Sequence, residues 1–276
     1  MSESPDLAGY FSRLGYRGLA RPALDTLEDL HALHAEKIAF ENLSPFLGEA
    51  VNLDLASLEE KLVRAGRGGW CFEHNLLFSH ILLALGFDVT RLAARVRWNV
   101  VAGAATPRSH MLLLVKLEEG DYIADVGFGG LTLTAPLELR PGIEQSTPHE
   151  DHRLAAIEGG FLLEAKIAHA WQALYTFDLH EQQVADYEVS NWYLCNHPGS
   201  QFLSGVIAAR AAPDARHALR NARYSIHYPD GTTDRRFMAT VDDYLATLSG
   251  PFQIKLPSSP LLPARIQKLI DADPQP

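Results

Sequence analysis

Cysteine is almost absent from this chain: Cys71 and Cys195 are the only two among 276 residues. A disulfide framework is thereby excluded, and a reducing compartment is expected. Basic residues are also in deficit, with 24 Lys and Arg against 34 Asp and Glu and a formal net charge of -10. That balance argues against a general role on nucleic acid or an anionic membrane, while leaving room for a local basic patch that meets a phosphorylated cofactor. Long apolar runs are missing too. They are broken by His80 or by arginines before reaching the roughly 18 to 20 residues that span a bilayer. The start Met-Ser-Glu-Ser-Pro-Asp has neither the basic nor the apolar region of a secretion signal, so a cytoplasmic protein is expected. There is no internal repeat or low-complexity tract. What is present is globular: 47% hydrophobic and 21% charged residues, at a length that suits two or three domains or subdomains around real cores.

One of the two cysteines lies in Arg67-Gly68-Gly69-Trp70-Cys71-Phe72-Glu73-His74-Asn75. Gly68 and Gly69 let the chain turn sharply and bring other groups close. Helical periodicity begins directly afterwards, with Phe78, Ile81, Leu82 and Leu85 on one stripe and Gly86 placed to stop the helix. Cys71 thus falls in a first turn, where unpaired N–H groups and the helix dipole favour an anionic sulfur. The rival reading is an inert packed thiol, the commonest state of a free cysteine.

The first helix is signalled by a cap at Ser4 followed by Pro5, the second by Thr26 with Asp29, and the third by a capping box at Ser57 and Glu60 running to about Arg64. The Cys71 helix is the fourth and most apolar of the bundle, hence central. From Val89 the pattern becomes β: Val89 to Val101, Met111 to Leu117, Tyr122 to Val126, then 153–157, 161–167 and 171–177, an antiparallel set able to close into a small barrel. A short helix over 186–194 leads out. Beyond Pro198 strands are expected near 206–210, 223–228 and 232–238, with a turn at Pro229-Asp230-Gly231, then a helix after Thr240 and a weaker one through Ile266 to Ile270.

A cysteine nucleophile needs an imidazole to take its proton and a third group to orient the ring. His110 opens a strand and Asp125 closes the next, directly before Val126-Gly127-Phe128-Gly129. A hairpin turning at Glu119-Gly120 puts both on one face but about four residues, roughly 13 Å, apart along the strands. A bulge or shifted register is required.

The stretch Arg67 to Asn75 resembles the arg-gly-gly-x-cys-x-glu-x-asn signature of the arylamine N-acetyltransferases. The resemblance continues through Tyr10-Phe11, Leu14-Gly15-Tyr16, Leu30-His31, His34, Phe40-Glu41-Asn42-Leu43, Pro107 to His110, and Ala124 to Gly129. It implies a catalytic triad of Cys71, His110 and Asp125. It also implies an α+β fold with a papain-like core in three parts: a helical bundle over 1–88 carrying Cys71, a β-barrel with a linking helix over 89–197 carrying His110 and Asp125, and an α/β lid over 198–276. Acetyl-CoA would enter beside the second and third parts, along a loop at Gly127, Phe128 and Gly129. Phe40 and Phe202 would shape the acceptor pocket. Ser109 stands where the family usually has threonine, keeping a hydroxyl, and Ala39 where proline is common.

The implied reaction is acetyl-CoA dependent N-acetylation of arylamines, arylhydrazines or arylhydroxylamines by a ping-pong route, with CoA and a small aromatic amine or hydrazine as partners and neither nucleic acid nor a membrane among them. An amide synthase with a larger acyl donor, a papain- or transglutaminase-like cysteine hydrolase, and a binding protein that keeps the fold are the alternatives. No metal is expected, and His31, His34, His74 and His80 read as packed or surface residues. Arg67 and Glu73 are expected to pair and brace the nucleophile turn, Cys195 to be structural, and Arg91, Arg95 and Arg97 to lie on an outer strand face.

Overall fold

The computed structural model describes residues 4–101 and 103–273; residues 1–3 and 274–276, which open the first expected part and close the third, lie outside the described residues. Helix α1 (Leu7–Leu14) begins where the Asp6 carboxylate accepts the Gly9 N–H at 2.8 Å, so Asp6 is the cap rather than Ser4. Helix α2 (Leu24–Lys37) starts before Thr26, which sits in its first turn and does not cap it. After β1 (Phe40–Glu41) and α3 (Leu43–Leu47), helix α4 (Leu55–Leu58) runs into a π-helical turn at Glu59–Arg64. Its cap is Asp54, whose carboxylate accepts the Ser57 N–H at 2.9 Å, so the capping box expected at Ser57 does not form. An acidic side chain three residues earlier captured the helix start. Helix α5 (Cys71–Ala84) is buried through Cys71 to Ser79 on every face, as its apolar sequence requires of a central helix. Gly86, at φ 89°, ends it as expected, with the Phe87 N–H returned to the Leu82 carbonyl at 3.1 Å.

Next come β2 (Asp88–Val96), β3 (Arg108–Leu117), β4 (Gly120–Ala124), β5 (Leu137–Glu138), β6 (Glu144–Ser146), β7 (Asp151–Ile157), β8 (Gly160–Ile167) and β9 (Ala170–Phe177). They form one antiparallel sheet in the order β5-β4-β3-β2-β9-β8-β7-β6. Strand β2 stops at Val96, not Val101, because the chain turns and Val100 N–H folds back on the Arg97 carbonyl at 3.1 Å. The sheet's two edges are stitched by one side chain: the Gln145 amide accepts the Glu138 N–H at 2.8 Å and donates to the Glu138 carbonyl at 3.0 Å. The result is a nearly closed barrel.

Helix α6 (Val184–Asn196) and the short α7 (Gln201–Ser204) lead to β10 (Ile207–Ala212), β11 (Ala215–Arg220), β12 (Arg223–His227) and β13 (Thr233–Phe237), then α8 (Val241–Ser249) and α9 (Leu261–Ala272). Strand β11 is missing from the sequence reading. Its Ala-Arg-His-Ala-Leu-Arg stretch has helical propensity that sheet pairing overrides.

Three cores underlie this α+β fold. The first joins the helices to one face of the barrel, through Leu30, Phe72, Phe78, Met111, Leu113 and Val126. The second is the barrel interior, around Leu112, Leu154, Leu163 and Tyr175. The third lies under the C-terminal sheet, and it takes in Ala39, Leu43, Phe46 and Leu47 from the N-terminal stretch alongside Tyr244, Leu248 and Phe252. Strand β1 is accordingly the edge of the C-terminal sheet, paired to β10 at Phe40↔Ala209 and Glu41↔Ala208. Barrel and C-terminal sheet are clasped by Arg216, whose guanidinium holds the Glu150 carboxylate at 2.5–2.9 Å. Among the described residues no helix is long and apolar enough to cross a membrane.

Candidate active site

Cys71 is the first residue of α5, and the turn before it is built on close approach. Neither Gly68 nor Gly69 has a positive φ. A side chain at Gly68 would put its Cβ 2.0 Å from the Ala39 carbonyl oxygen, and one at Gly69 would meet Glu73 Oε2 at 2.7 Å. The glycine pair therefore serves the close approach expected from sequence, and no left-handed backbone is involved. The expected Arg67–Glu73 pair is also corrected. Arg67 binds Glu41 at 2.7 Å, while Glu73 takes Lys61 at 2.7 Å and accepts the Trp70 N–H at 3.0 Å. Each carboxylate has a nearer cation, and the two separate ion pairs flank the turn. Burial nevertheless raises the Glu73 pKa, with Lys61 offsetting only part of it.

The hairpin register is what brings His110 to Asp125. Leu117 pairs with Gly120, so Glu118 and Glu119 form the loop, one position earlier than the expected Glu119-Gly120 turn. The ladder then leaves His110 and Asp125 two residues out of step instead of four, a gap two side chains span. A bulge beside them, where Ala94 pairs with His110 but Arg95 with Arg108, also re-aims the start of β3. His110 Nε2 lies 2.6 Å from Asp125 Oδ2.

Asp125 itself is fixed at every polar atom. Its Oδ1 accepts from Asn75 Nδ2 and from the Gly127 N–H, both at 3.0 Å, its carbonyl accepts the Thr132 hydroxyl at 3.0 Å, and its N–H donates to His31 Nε2 at 3.1 Å. Asn75 lies one helical turn after Cys71, and its amide also binds the Met111 carbonyl at 2.7 Å and the Val126 N–H at 3.2 Å. Its place in the signature was visible in sequence, but no role was assigned; the i, i+4 spacing from Cys71 is the signal.

Exposure decides which member of the group can meet a ligand: Asp125 is 0%, His110 3% and Cys71 8% accessible. Burial disfavours a charged His110 ring, but the Asp125 charge and hydrogen bond, joined by those of Cys71, outweigh it and raise the pKa to about 10. Burial likewise works against the Asp125 carboxylate, and His110 with the Asn75 and Gly127 donors brings its pKa below the ordinary value. The Cys71 sulfur also lies 3.7 Å from the Ser109 carbonyl oxygen.

Cys71 and His110 open into a cleft of about 410 Å³ between barrel and C-terminal sheet. Phe40, Gly127, Phe128, Gly129 and Phe202 line it, as do Trp98 and Leu131, which the sequence reading did not single out. Ser109 is not part of the lining. Phe128 stands edge-on to His110 with centroids 5.0 Å apart, and Phe202 edge-on to Trp70 at 5.3 Å. Gly127 leaves no room for a side chain, since a Cβ would sit 2.9 Å from the Cys71 Cα. A larger hollow, about 520 Å³, lies along the Arg67 and Glu73 ion pairs, and neither Cys71 nor His110 lines it.

Behind the turn runs a buried chain of hydrogen bonds whose polarity is fixed by its end. His74 Nε2 lies 3.0 Å from the Gly69 carbonyl and 3.2 Å from that of Ala39, so it carries the proton. His74 Nδ1 must then accept from His34 Nε2 at 2.8 Å, and His34 Nδ1 from the Tyr10 hydroxyl at 2.8 Å. Burial keeps both rings neutral, taking His74 to about 4 and His34 well below its usual value. Among the described residues no group of three or more His, Cys, Asp or Glu is arranged to hold a metal. Arg95 and Arg97 donate to the Thr106 and Ala104 carbonyls, and Arg91 to the Ser79 hydroxyl at 3.0 Å. Cys195 is half-buried, and burial raises its pKa.

Residues 23–261 match the model of the N-acetyltransferase family. The arylamine N-acetyltransferase of Mycobacterium tuberculosis is 41% identical over 275 residues, covering 98% of this chain and 97% of that one. The chain belongs to the arylamine N-acetyltransferase family. Its fold agrees: the Mycobacterium marinum arylamine N-acetyltransferase in complex with CoA superposes with a TM-score of 0.92 at 39% identity, over 96% of this chain and 99% of that one. A relative in Salmonella typhimurium, 43% identical over 208 residues and covering 75% of this chain and 74% of its own, is named as both an arylamine N-acetyltransferase and an N-hydroxyarylamine O-acetyltransferase. Membership makes this chain an acetyltransferase with the papain-like arrangement of a helix-borne cysteine facing a strand-borne histidine.

Proposed function

We propose that the chain moves an acetyl group from acetyl-CoA to the nitrogen of arylamines and arylhydrazines, or to arylhydroxylamines, through an acetyl-Cys71 intermediate. The observation that carries this reading is one reactive-type sulfur at a helix start, open to an aromatic-walled cleft and backed by the His110–Asp125 pair at 2.6 Å. Cys71 is the nucleophile, His110 the proton carrier and Asp125 the group that orients the ring and balances its charge.

In the first half-reaction the Cys71 sulfur attacks the thioester carbonyl, and His110 gives its proton to the departing CoA sulfur as the old C–S bond breaks. First-turn amides of α5 are suited to hold the oxyanion, since helix-start N–H groups lack intrahelical acceptors. In the second, the amine nitrogen attacks acetyl-Cys71, His110 accepts the nitrogen's proton, and cleavage of the C–Sγ bond releases the amide. The first step exchanges one thioester for another and is nearly balanced, so there the site supplies chiefly position and proton transfer; the second gives up a good leaving group for a poor one and is downhill, and it asks the site to raise the reactivity of a weakly basic amine.

Phe40 and Phe202 form the acceptor wall, and Gly127, Phe128 and Gly129 the edge along which the acyl donor lies. Ser109 contributes through its carbonyl. The working division is a nucleophile part over 1–88, a barrel part over 89–197 and a lid over 198–276, with Ala39 to Leu47 reaching across to the lid. The two free cysteines support a cytoplasmic setting.

The test is intact-protein mass spectrometry. Acetyl-CoA without acceptor should add one acetyl group at Cys71, and an arylamine such as aniline should discharge it. Cys195→Ala should do both and Cys71→Ala neither. Turnover by Cys71→Ala, or sequential kinetics with no acetylated enzyme on rapid quench, would defeat the reading; peptide hydrolysis without CoA would favour a cysteine hydrolase.

A further inference from the structure

Asp125 stands one residue beyond the last ladder pair of the hairpin, Leu113↔Ala124, and is fully buried. Its N–H is therefore outside the strand pairing at a place water does not reach, where an unpaired donor is costly. The acceptor that meets it is a side chain from a different element: His31 of α2, itself 0% exposed, presents Nε2 at 3.1 Å.

We infer that His31 is a positioning residue for the acetyl transfer, fixing the Asp125 peptide from which the His110-orienting carboxylate projects. The inference rests on the Cys71–His110–Asp125 reading above.

The protonation pattern of His31 follows from the contact. To accept an N–H, Nε2 must carry a lone pair, so the ring proton sits on Nδ1. That Nδ1 has no hydrogen-bond partner among the described residues. The ring thus supplies an acceptor at this place, a role that packing alone does not call for, since an aliphatic side chain would fill the space without it. His34, one turn later on the same helix, shows the contrast. Both of its nitrogens are satisfied, by Tyr10 and His74 at 2.8 Å.

The choice of histidine is also electrostatically apt. A carboxylate acceptor here would set a second negative charge beside Asp125 and compete for the His110 proton. A neutral imidazole accepts the N–H without that competition, and burial keeps it neutral by lowering its pKa to about 4. The ring is held edge-on to Phe78, centroids 6.0 Å apart, which limits its freedom to tilt away. Any shift of the Asp125 peptide passes directly to the 2.6 Å bond with His110.

The direct measurement is long-range ¹H–¹⁵N correlation of the histidine rings at neutral pH. His31 should be the Nδ1–H tautomer, whereas His34 and His74 should be Nε2–H. An Nε2–H or doubly protonated His31 overturns the inference. The kinetic arm compares His31→Leu, which removes the acceptor, with His31→Gln, whose amide oxygen reaches where Nε2 sits. His31→Leu should slow enzyme acetylation about tenfold and shift the pH profile of Cys71 alkylation by about half a unit, leaving acceptor KM unchanged. His31→Gln should restore most of both. If His31→Leu is not recovered folded, His31→Asn, too short to reach, takes its place with the same expectation. An unshifted profile in the acceptor-less variant, or equal losses in it and in His31→Gln, overturns the proposal. Should Asp125→Asn be fully active, the triad reading fails instead, and the His31 tautomer separates the two failures.

Discussion

Asp125 is the residue at which most of the hydrogen bonding converges, and replacing it isolates charge from shape. Asp125→Asn should lower kcat/KM on the order of a hundredfold or more, because an amide neither balances the imidazolium nor holds its tautomer. Single-turnover acetylation of the folded variant measures this, and near wild-type rates would remove Asp125 from the mechanism. The local patterns, a cysteine behind paired glycines and a His–Asp pair on successive strands, made these residues candidates, and their resemblance to a family signature joined them into one group. Their partners were not. Arg67 and Glu73 found Glu41 and Lys61 because the turn brings separate segments together, and nothing in spacing along one stretch reports that. The same holds for Asp125, whose distance from His110 depended on a hairpin loop misplaced by one position. Moving a hairpin loop by one position slides both strands, so it changes which residues face each other by two.

Among the elements, α5 was the most legible, since an apolar run bounded by a first-turn cysteine and a terminal glycine leaves little choice. Helix starts were less so. Thr26 and Ser57 are good caps by type, yet the chain used Asp54 for one helix and no side chain for the other, as tertiary packing set where each helix could begin. Strand β11 was hidden by alanine and arginine, whose preference is helical. The least expected element is α7, whose Phe202 wall is held from a distance: Asn42 Nδ2 donates to the Phe202 carbonyl at 2.9 Å and the Gly205 carbonyl at 2.8 Å, and its Oδ1 accepts the Ile207 N–H at 2.7 Å. Asn42→Ala strands these groups, so it should destabilise the fold by about 2 kcal/mol or more. Because Phe202 loses its anchor, acceptor KM should rise while the rate of enzyme acetylation changes little. Urea unfolding and separate half-reaction kinetics test the two parts, and an unchanged KM would mean α7 is placed by other contacts.

Protonation acts on the molecule as a whole through its buried histidines. Burial holds His31, His74 and His152 at about 4, so they are neutral when folded while the unfolded chain takes up protons. Each therefore withdraws about 3 kcal/mol of stability as pH falls from roughly 6.5 to 4. His110 has the opposite sign. Burial is overcome by Asp125, the pKa rises to about 10, and the stabilisation, complete below the unfolded value, is lost as pH climbs toward that figure. The lowered Asp125 value adds a loss only at the acid extreme, below the unfolded carboxylate range. Calorimetry across pH 4 to 10 should thus find the highest Tm near pH 6.5 to 7 and a steeper fall on the acid side. A flat profile from pH 5 to 8 would contradict the assignment of these buried rings.

Strand β1 is two residues long, yet it lies between Gly69, to which Phe40 bridges, and β10, to which both its residues pair. The Asn42 contact beside it joins residues 165 apart in the chain. During synthesis these partners emerge well after the barrel strands, so the segment before Cys71 cannot reach its final position when the barrel is already outside the ribosome. Contacts of such separation form late. The cysteine would acquire its competent setting only after β10 has been made, and a nascent chain halted before β10 should carry a folded barrel and an unreactive thiol.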